Sequence, residues 1–162
     1  MSNNTIITAV IEVSKDTNVK YKYDPTQTKL QLDRILPYKL KYPFNYGHVP
    51  NTRNADGQEI DVVLLLDESL LPGTFISCKI IGCLEYTDEK GRDNKLIVCP
   101  SNDADRRFIH INDISNLKPD TLNKIRYFFE NYKRNLHIDV KTGRFLTSSQ
   151  ATQLYNKSII ST

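Results

Sequence analysis

The chain has 162 residues, 39% of them hydrophobic and 25% charged, which suits one domain around one core. No apolar run approaches the ~20 residues needed to cross a bilayer. Met1–Val10 lacks a charged start followed by an apolar stretch, so no secretory leader is expected and the expected location is cytoplasmic. Net charge is +3, with Lys and Arg dispersed along the chain, a balance that permits an anionic ligand without demanding nucleic acid or a membrane surface.

The first two-thirds read as strands and turns. Thr5–Ser14 is rich in Ile, Val and Thr, and Val19–Tyr23 alternates, with Lys20 and Lys22 on one face and Tyr21 and Tyr23 on the other. Lys29–Ile35 alternates too, which predicts Leu30 and Leu32 inward. Ile60–Leu66, Phe75–Leu84 and Lys95–Val98 are further β-rich segments, and Asp56-Gly57, Pro72-Gly73 and Lys90-Gly91 supply turns. From Pro119 to Arg134 the period changes: Leu122, Ile125, Phe128, Phe129 and Tyr132 recur at helical spacing. Thr147-Ser-Ser-Gln150 fits a capping box opening a second helix, with Ala151, Leu154, Tyr155 and Ile159 on one stripe. The expected fold is mainly β with α (α+β): a five-stranded OB-type barrel with helices packed outside. Cys78, Cys83 and Cys99 lie among Ile, Val, Leu and Gly, as buried free thiols do. His48, His110 and His137 are scattered, without zinc-ligand spacing.

Chemistry concentrates in acidic turns. Asp56-Gly57-Gln58-Glu59-Ile60-Asp61 leads into one apolar strand, and Asp88-Glu89-Lys90-Gly91-Arg92-Asp93-Asn94-Lys95 leads into another. Glu12 stands alone in Val-Ile-Glu-Val, where an unpaired carboxylate is costly. Convergence of these carboxylates would suit a hard divalent cation, although each Asp-Gly is also an ordinary turn signal. Lys20, Arg34, Tyr46, Lys95, Tyr132 and Lys133 form a complementary cationic and phenolic set suited to phosphate, though each also fits a solvated face.

Seven motifs occur in one order: Ile11-Glu12-Val13, Lys20-Tyr21, Asp33-Arg34, Tyr42-Pro43-x-Asn45-Tyr46-Gly47, Asp56-Gly57-x-x-x-Asp61-Val62, Thr87-Asp88-Glu89-x-Gly91-x-Asp93-x-Lys95 and Phe128-Phe129-Glu130-x-Tyr132-Lys133. Together they resemble the soluble, magnesium-dependent (family I) inorganic pyrophosphatases from about Ile11 to Asn135, with the spacing of the short, bacterial-type members. The resemblance implies hydrolysis of pyrophosphate to two phosphates at a barrel mouth holding several Mg²⁺ ions, with Mn²⁺ or another divalent ion as substitute. It implies Asp56, Asp61 and Asp93 as ligands of the catalytic metals, with Asp88 and Glu12 serving metals that arrive with substrate. Lys20, Arg34, Tyr46, Lys95, Tyr132 and Lys133 would bind the phosphates, and Tyr42 and Glu89 would line the same cavity. Short members tend to form hexamers and longer ones dimers, so a homo-oligomer, a hexamer before a dimer, is expected.

Two positions depart from the family pattern. Its Asp-Gly-Asp-Pro-x-Asp has Gln58 here in place of the middle Asp, which assists the attacking water, and its Lys-Tyr-Glu has become Lys20-Tyr21-Lys22. An amide can orient a water but cannot take its proton near neutral pH. Glu59 follows Gln58 and could replace the missing base if the turn is rearranged, but strand alternation predicts that it faces the opposite side, which disfavours that rescue. The expected outcome is an active enzyme of altered or reduced rate. The alternative is a weak or inactive relative that binds pyrophosphate or another phosphorylated ligand. An OB module for single-stranded nucleic acid is disfavoured because the acidic turns would repel phosphates without metal.

Overall fold

The computed structural model describes residues 4–37 and 40–160. Met1–Asn3, part of the N-terminal stretch read above for a leader, lie outside the described residues. In chain order the elements are β1 Ile6–Val13, β2 Val19–Asp24, β3 Lys29–Ile35, β4 Asn45–Val49, β5 Ile60–Leu64, β6 Phe75–Asp88, β7 Gly91–Arg92, β8 Lys95–Pro100, α1 Pro119–Asn131, β9 Lys141–Leu146 and α2 Ser148–Ser158. Strands β1-β4-β5-β8-β6 pair in that order and β6 returns to β1, closing a five-stranded barrel. β5 and β8 run parallel and the other barrel pairings are antiparallel. The expected OB-type barrel with helices outside is the observed architecture.

The central strands are buried on both faces, which is why they read as near-continuous apolar runs. Along β5 and β8, Ile60, Val62, Leu64, Leu96 and Val98 enter one cluster together with Ala151 of α2. Val63, Ile97 and Cys99 enter a second cluster with Tyr42, Phe44, Tyr46 and Tyr86 and with Ile125, Phe128, Phe129 and Tyr132 from the α1 segment. Burying each such side chain contributes ~1.5–3 kcal/mol, so α1 is held by its aromatic stripe. Pro119 at its first turn fits there because its missing N–H needs no partner. The capping box at α2 forms as the sequence predicts: Thr147 accepts from the Gln150 backbone and Gln150 accepts from the Thr147 backbone. All three cysteines are buried and free, and no described helix is long and apolar enough to cross a membrane.

Several expectations need correction. Leu30 and Leu32 do not point inward: they are 40% and 59% exposed. β2 and β3 form their own two-stranded sheet beside the barrel, and alternation alone does not say which face is covered. β4 and β9 escaped the sequence reading, β6 continues to Asp88, and β5 stops at Leu64. The first helix ends at Asn131, Arg134–Leu136 forming a separate 3-10 turn. Ile159 lies just past α2 and is exposed rather than part of its stripe.

Candidate active site

The barrel register assembles the site. Glu12 is the extra residue of a β-bulge, since Ile11 pairs with Gly47 and Val13 with Tyr46; bulges re-aim side chains in this way. The bulged strand approaches β4 so closely that a Cβ on Gly47 would sit 1.9 Å from the Val10 carbonyl oxygen. His48 pairs with Asp61 across β4 and β5, and Asp61 pairs with Lys95 across β5 and β8. A row of polar side chains, Glu12-His48-Asp61-Lys95, therefore crosses four barrel strands at the edge of the aromatic cluster.

This row forms one wall of a cavity of about 320 Å³. The thirteen positions assigned to metal, to phosphate or to the two departures from the family pattern line it: Glu12, Lys20, Lys22, Arg34, Tyr46, Asp56, Gln58, Asp61, Asp88, Asp93, Lys95, Tyr132 and Lys133. Tyr42 lines it too, as expected, but Glu89 does not; its carboxylate reaches only to 3.9 Å from Lys133 Nζ. Lys20 and Arg34 come from the β2–β3 hairpin, where both approach Asp33, at 3.7 and 3.6 Å. Asp56 lies in a turn built on Gly57, whose φ of 87° favours glycine. Its Oδ1 accepts the Gln58 backbone N–H at 3.0 Å. Asn54 of that turn donates to Asp93 at 3.1 Å, tying the two acidic segments together. Tyr132 ends α1 by stacking on Phe128, and the next residue, Lys133, donates to Asp88 at 2.7 Å.

Lys95 is the centre of the charge network. Only 1% exposed, it donates to Asp61 at 2.8 Å, Asp93 at 2.7 Å and Tyr46 at 2.9 Å, with the rings of Tyr86, Tyr46 and Phe129 around its ammonium. Burial opposes its charge, but the two aspartates outweigh burial and hold it above the usual lysine range. Asp61 is penalised by burial yet held below the usual carboxylate range by Lys95 and Lys20. Asp93 is pushed above that range by burial, against Lys95 and with the charge of Asp61. Burial raises Tyr46 and Tyr132 as well, so both remain neutral donors.

Among the described residues no three His, Cys, Asp or Glu side chains already stand as ligands around one point. The donor chemistry nevertheless fits a hard divalent cation. Asp61 and Asp93 converge on a single positive charge, leaving one negative charge in excess, and Asp56 lines the same wall. Carboxylate oxygens completed by water are what Mg²⁺ selects, and an added cation would relieve the strain on buried Asp93.

Sequence reasoning missed His48 and misplaced Glu59. Both line the cavity. His48 is 6% exposed, with Nδ1 3.1 Å from Glu12 Oε1 and Nε2 3.0 Å from Glu59 Oε2. Burial works against its charge, but the two carboxylates prevail and push it up to about 9. Its partner Glu59 is held below the usual range by His48, with Lys22 adding to the effect. Counting by twos would have found His48, which follows Tyr46 on one face of β4, whereas Gln58 and Glu59 precede the first residue of β5, where alternation does not hold and both line the cavity.

Fold and cavity define a class: an OB-type barrel with a polyion mouth, lined by seven carboxylates and six Lys or Arg side chains, suited to hold an anion and hard cations together. The family model for inorganic pyrophosphatase matches residues 9–161. An inorganic pyrophosphatase of Saccharolobus solfataricus is 42% identical over 127 residues, covering 78% of this chain and 74% of that protein. One of Nanoarchaeum equitans is 44% identical over 138 residues, covering 85% and 82%. The solved inorganic pyrophosphatase of Helicobacter pylori superposes with a TM-score of 0.91 at 35% identity, covering 98% of this chain and 95% of that one. The chain belongs to the inorganic pyrophosphatase family, and is a hydrolase of that kind.

Proposed function

We propose that this chain hydrolyses inorganic pyrophosphate to two phosphates with Mg²⁺, or Mn²⁺ or another divalent ion in its place, at a rate below that of relatives carrying Asp at the Gln58 position. The observation that carries the reading is the cavity itself, where every residue selected for metal or phosphate chemistry meets in one space of about 320 Å³. Asp56, Asp61 and Asp93 would hold the catalytic metal ions, with Asp88 and Glu12 available to ions arriving with substrate. Bound there, divalent ions supply an acidified water and neutralise phosphate charge.

The chain's own groups act on pyrophosphate. Lys20 and Arg34, on a hairpin flanking the mouth, and Lys133, beside Asp88, neutralise charge on the two phosphate groups. Tyr46 and Tyr132 donate hydrogen bonds as neutral phenols. Lys95 holds Asp61 ionised and works against burial towards the ionised form of Asp93, placing one buried positive charge behind the cavity wall. Gln58 accepts a hydrogen bond from water but takes no proton, which lowers the rate. The reading extends to a cytoplasmic homo-oligomer, a hexamer before a dimer, supported by the short-form motif spacing and measurable by sedimentation velocity.

The test is Asp61→Ala, assayed by phosphate release and by Mg²⁺ calorimetry. Loss of both the metal response and turnover is expected; full Mg²⁺ response in the variant would remove the metal assignment. Tight pyrophosphate binding without turnover in the wild type would favour a ligand-binding relative instead.

A further inference from the structure

Gln58 and Glu59 stand side by side on the cavity wall, and the second is the one with chemistry. Glu59 is not a loose surface glutamate. Its Oε2 lies 3.0 Å from His48 Nε2, and the other ring nitrogen lies 3.1 Å from Glu12 Oε1 on the β1 bulge without the alignment of a hydrogen bond. The ring is buried between two carboxylates, and its Nε2 draws the Glu59 carboxylate to the cavity wall. Among the described residues Glu59 Oε1 has no hydrogen-bond or ion-pair partner, and the side chain is 43% exposed on the cavity side of the pair.

Asp88 and Asp93 have both carboxylate oxygens engaged, whereas Asp61, Glu12, Asp56 and Asp33, like Glu59, engage through one. Of these, Asp61, Glu12 and Asp56 are assigned to metal and Asp33 to the hairpin cations, which leaves Glu59 as the cavity carboxylate with no other task. Asp61 and Asp93 share Lys95, Asp88 meets Lys133, Asp33 meets Lys20 and Arg34, Glu12 meets His48, and Asp56 accepts the Gln58 N–H. His48 itself has both nitrogens turned to carboxylates, which leaves no lone pair facing the cavity when both carry protons.

We propose that Glu59 is the proton acceptor of this active site, taking over from the carboxylate that position 58 lacks, with His48 as its positioning residue; the assignment rests on the hydrolysis proposed above. An O–H bond of the attacking water breaks and its proton passes to Glu59 Oε1. The freed oxygen pair forms the new P–O bond, while the bridging P–O bond breaks and its electron pair leaves with the second phosphate. The proton then passes from Glu59 to the departing phosphate or to solvent, restoring the carboxylate. A general base of this kind contributes a factor of ~10²–10⁴ in rate.

Phosphate release is measured for wild type, Glu59→Gln, His48→Gln, Gln58→Asp and the double variant Gln58→Asp with Glu59→Gln. Thermal melts and calorimetry of Mg²⁺ and of inorganic phosphate accompany each protein. Glu59→Gln is expected to lower kcat ~100-fold or more, with KM, phosphate affinity and melting temperature nearly unchanged. His48→Gln lowers kcat with KM preserved, by less than Glu59→Gln. In the Gln58→Asp background the loss from Glu59→Gln shrinks at least tenfold, because a second base is present. A Glu59→Gln enzyme within threefold of wild type overturns the assignment while leaving the hydrolysis reading intact. A wild type that releases no phosphate while Gln58→Asp also stays silent removes both.

Discussion

Lys95 makes the sharpest energetic test of the site. In Lys95→Met the apolar stem is kept and the ammonium is lost, leaving Asp61 and Asp93 facing each other. Their Oδ2 atoms lie 2.8 and 2.7 Å from the same Nζ, so they stand no more than about 5.5 Å apart. At that distance two unit charges repel by at least ~3 kcal/mol at an effective dielectric of about 20. Removing one partner of a buried pair costs ~3–5 kcal/mol by general experience, so the two estimates agree. The expected loss is ~3 kcal/mol or more at pH 7, a large part of a typical stability. Urea unfolding followed by far-UV circular dichroism measures it, since the chain has no Trp. The loss should be smaller at pH 5, where Asp93, already pushed up by burial, takes a proton more readily, and Mg²⁺ should stabilise the variant more than wild type. A loss below ~1 kcal/mol at pH 7 would show that the aspartates do not depend on Lys95.

Gly47→Ala places a Cβ 1.9 Å from the Val10 carbonyl oxygen, a backbone clash that should cost several kcal/mol (~3 or more); a melting temperature within a few degrees of wild type would contradict the close approach at the bulge. Asp113→Ala removes the acceptor of the Ser148 N–H at 2.8 Å and of Ser115, with an expected cost of ~1 kcal/mol in urea unfolding. Burial works against the Asp113 carboxylate, but the N–H groups of Ser148 and Ser115 outweigh it and hold it below its usual 3.8. Its stabilisation is therefore present above the unfolded value and lost as pH falls through the lower folded one. Wild type and variant should converge in stability in strong acid, and a gap that persists there would assign the effect to packing.

Much of this fold is legible because β-branched runs such as Thr5–Ser14 and Ile60–Leu64 sit where both strand faces are covered, and because α1 carries its aromatics at helical spacing. β4 is not, since Asn45-Tyr46-Gly47-His48 has little intrinsic strand preference; it is extended because β1 and β5 pair with it on both sides. β9 is polar and half-exposed, a strand only through its pairing with the long β6. The hairpin leucines show the limit of alternation, which defines two faces without saying which is covered. At the site, motif residues were legible one by one, while their meeting in one cavity depends on barrel register. Glu59 was set aside by strand alternation against Gln58, but both residues precede the first residue of β5, Ile60, so alternation does not apply to them. His48 carries no motif, and its importance comes from the bulge that turns Glu12 towards it.

The central claim is tested most directly by mixing the wild-type protein with inorganic pyrophosphate and counting phosphate released per mole of protein, with Mg²⁺ and with a chelator. Steady release of two phosphates per pyrophosphate in Mg²⁺, abolished by the chelator and slower than a relative with Asp at the Gln58 position, is the predicted result. Pyrophosphate left intact in Mg²⁺ by folded protein would contradict the account.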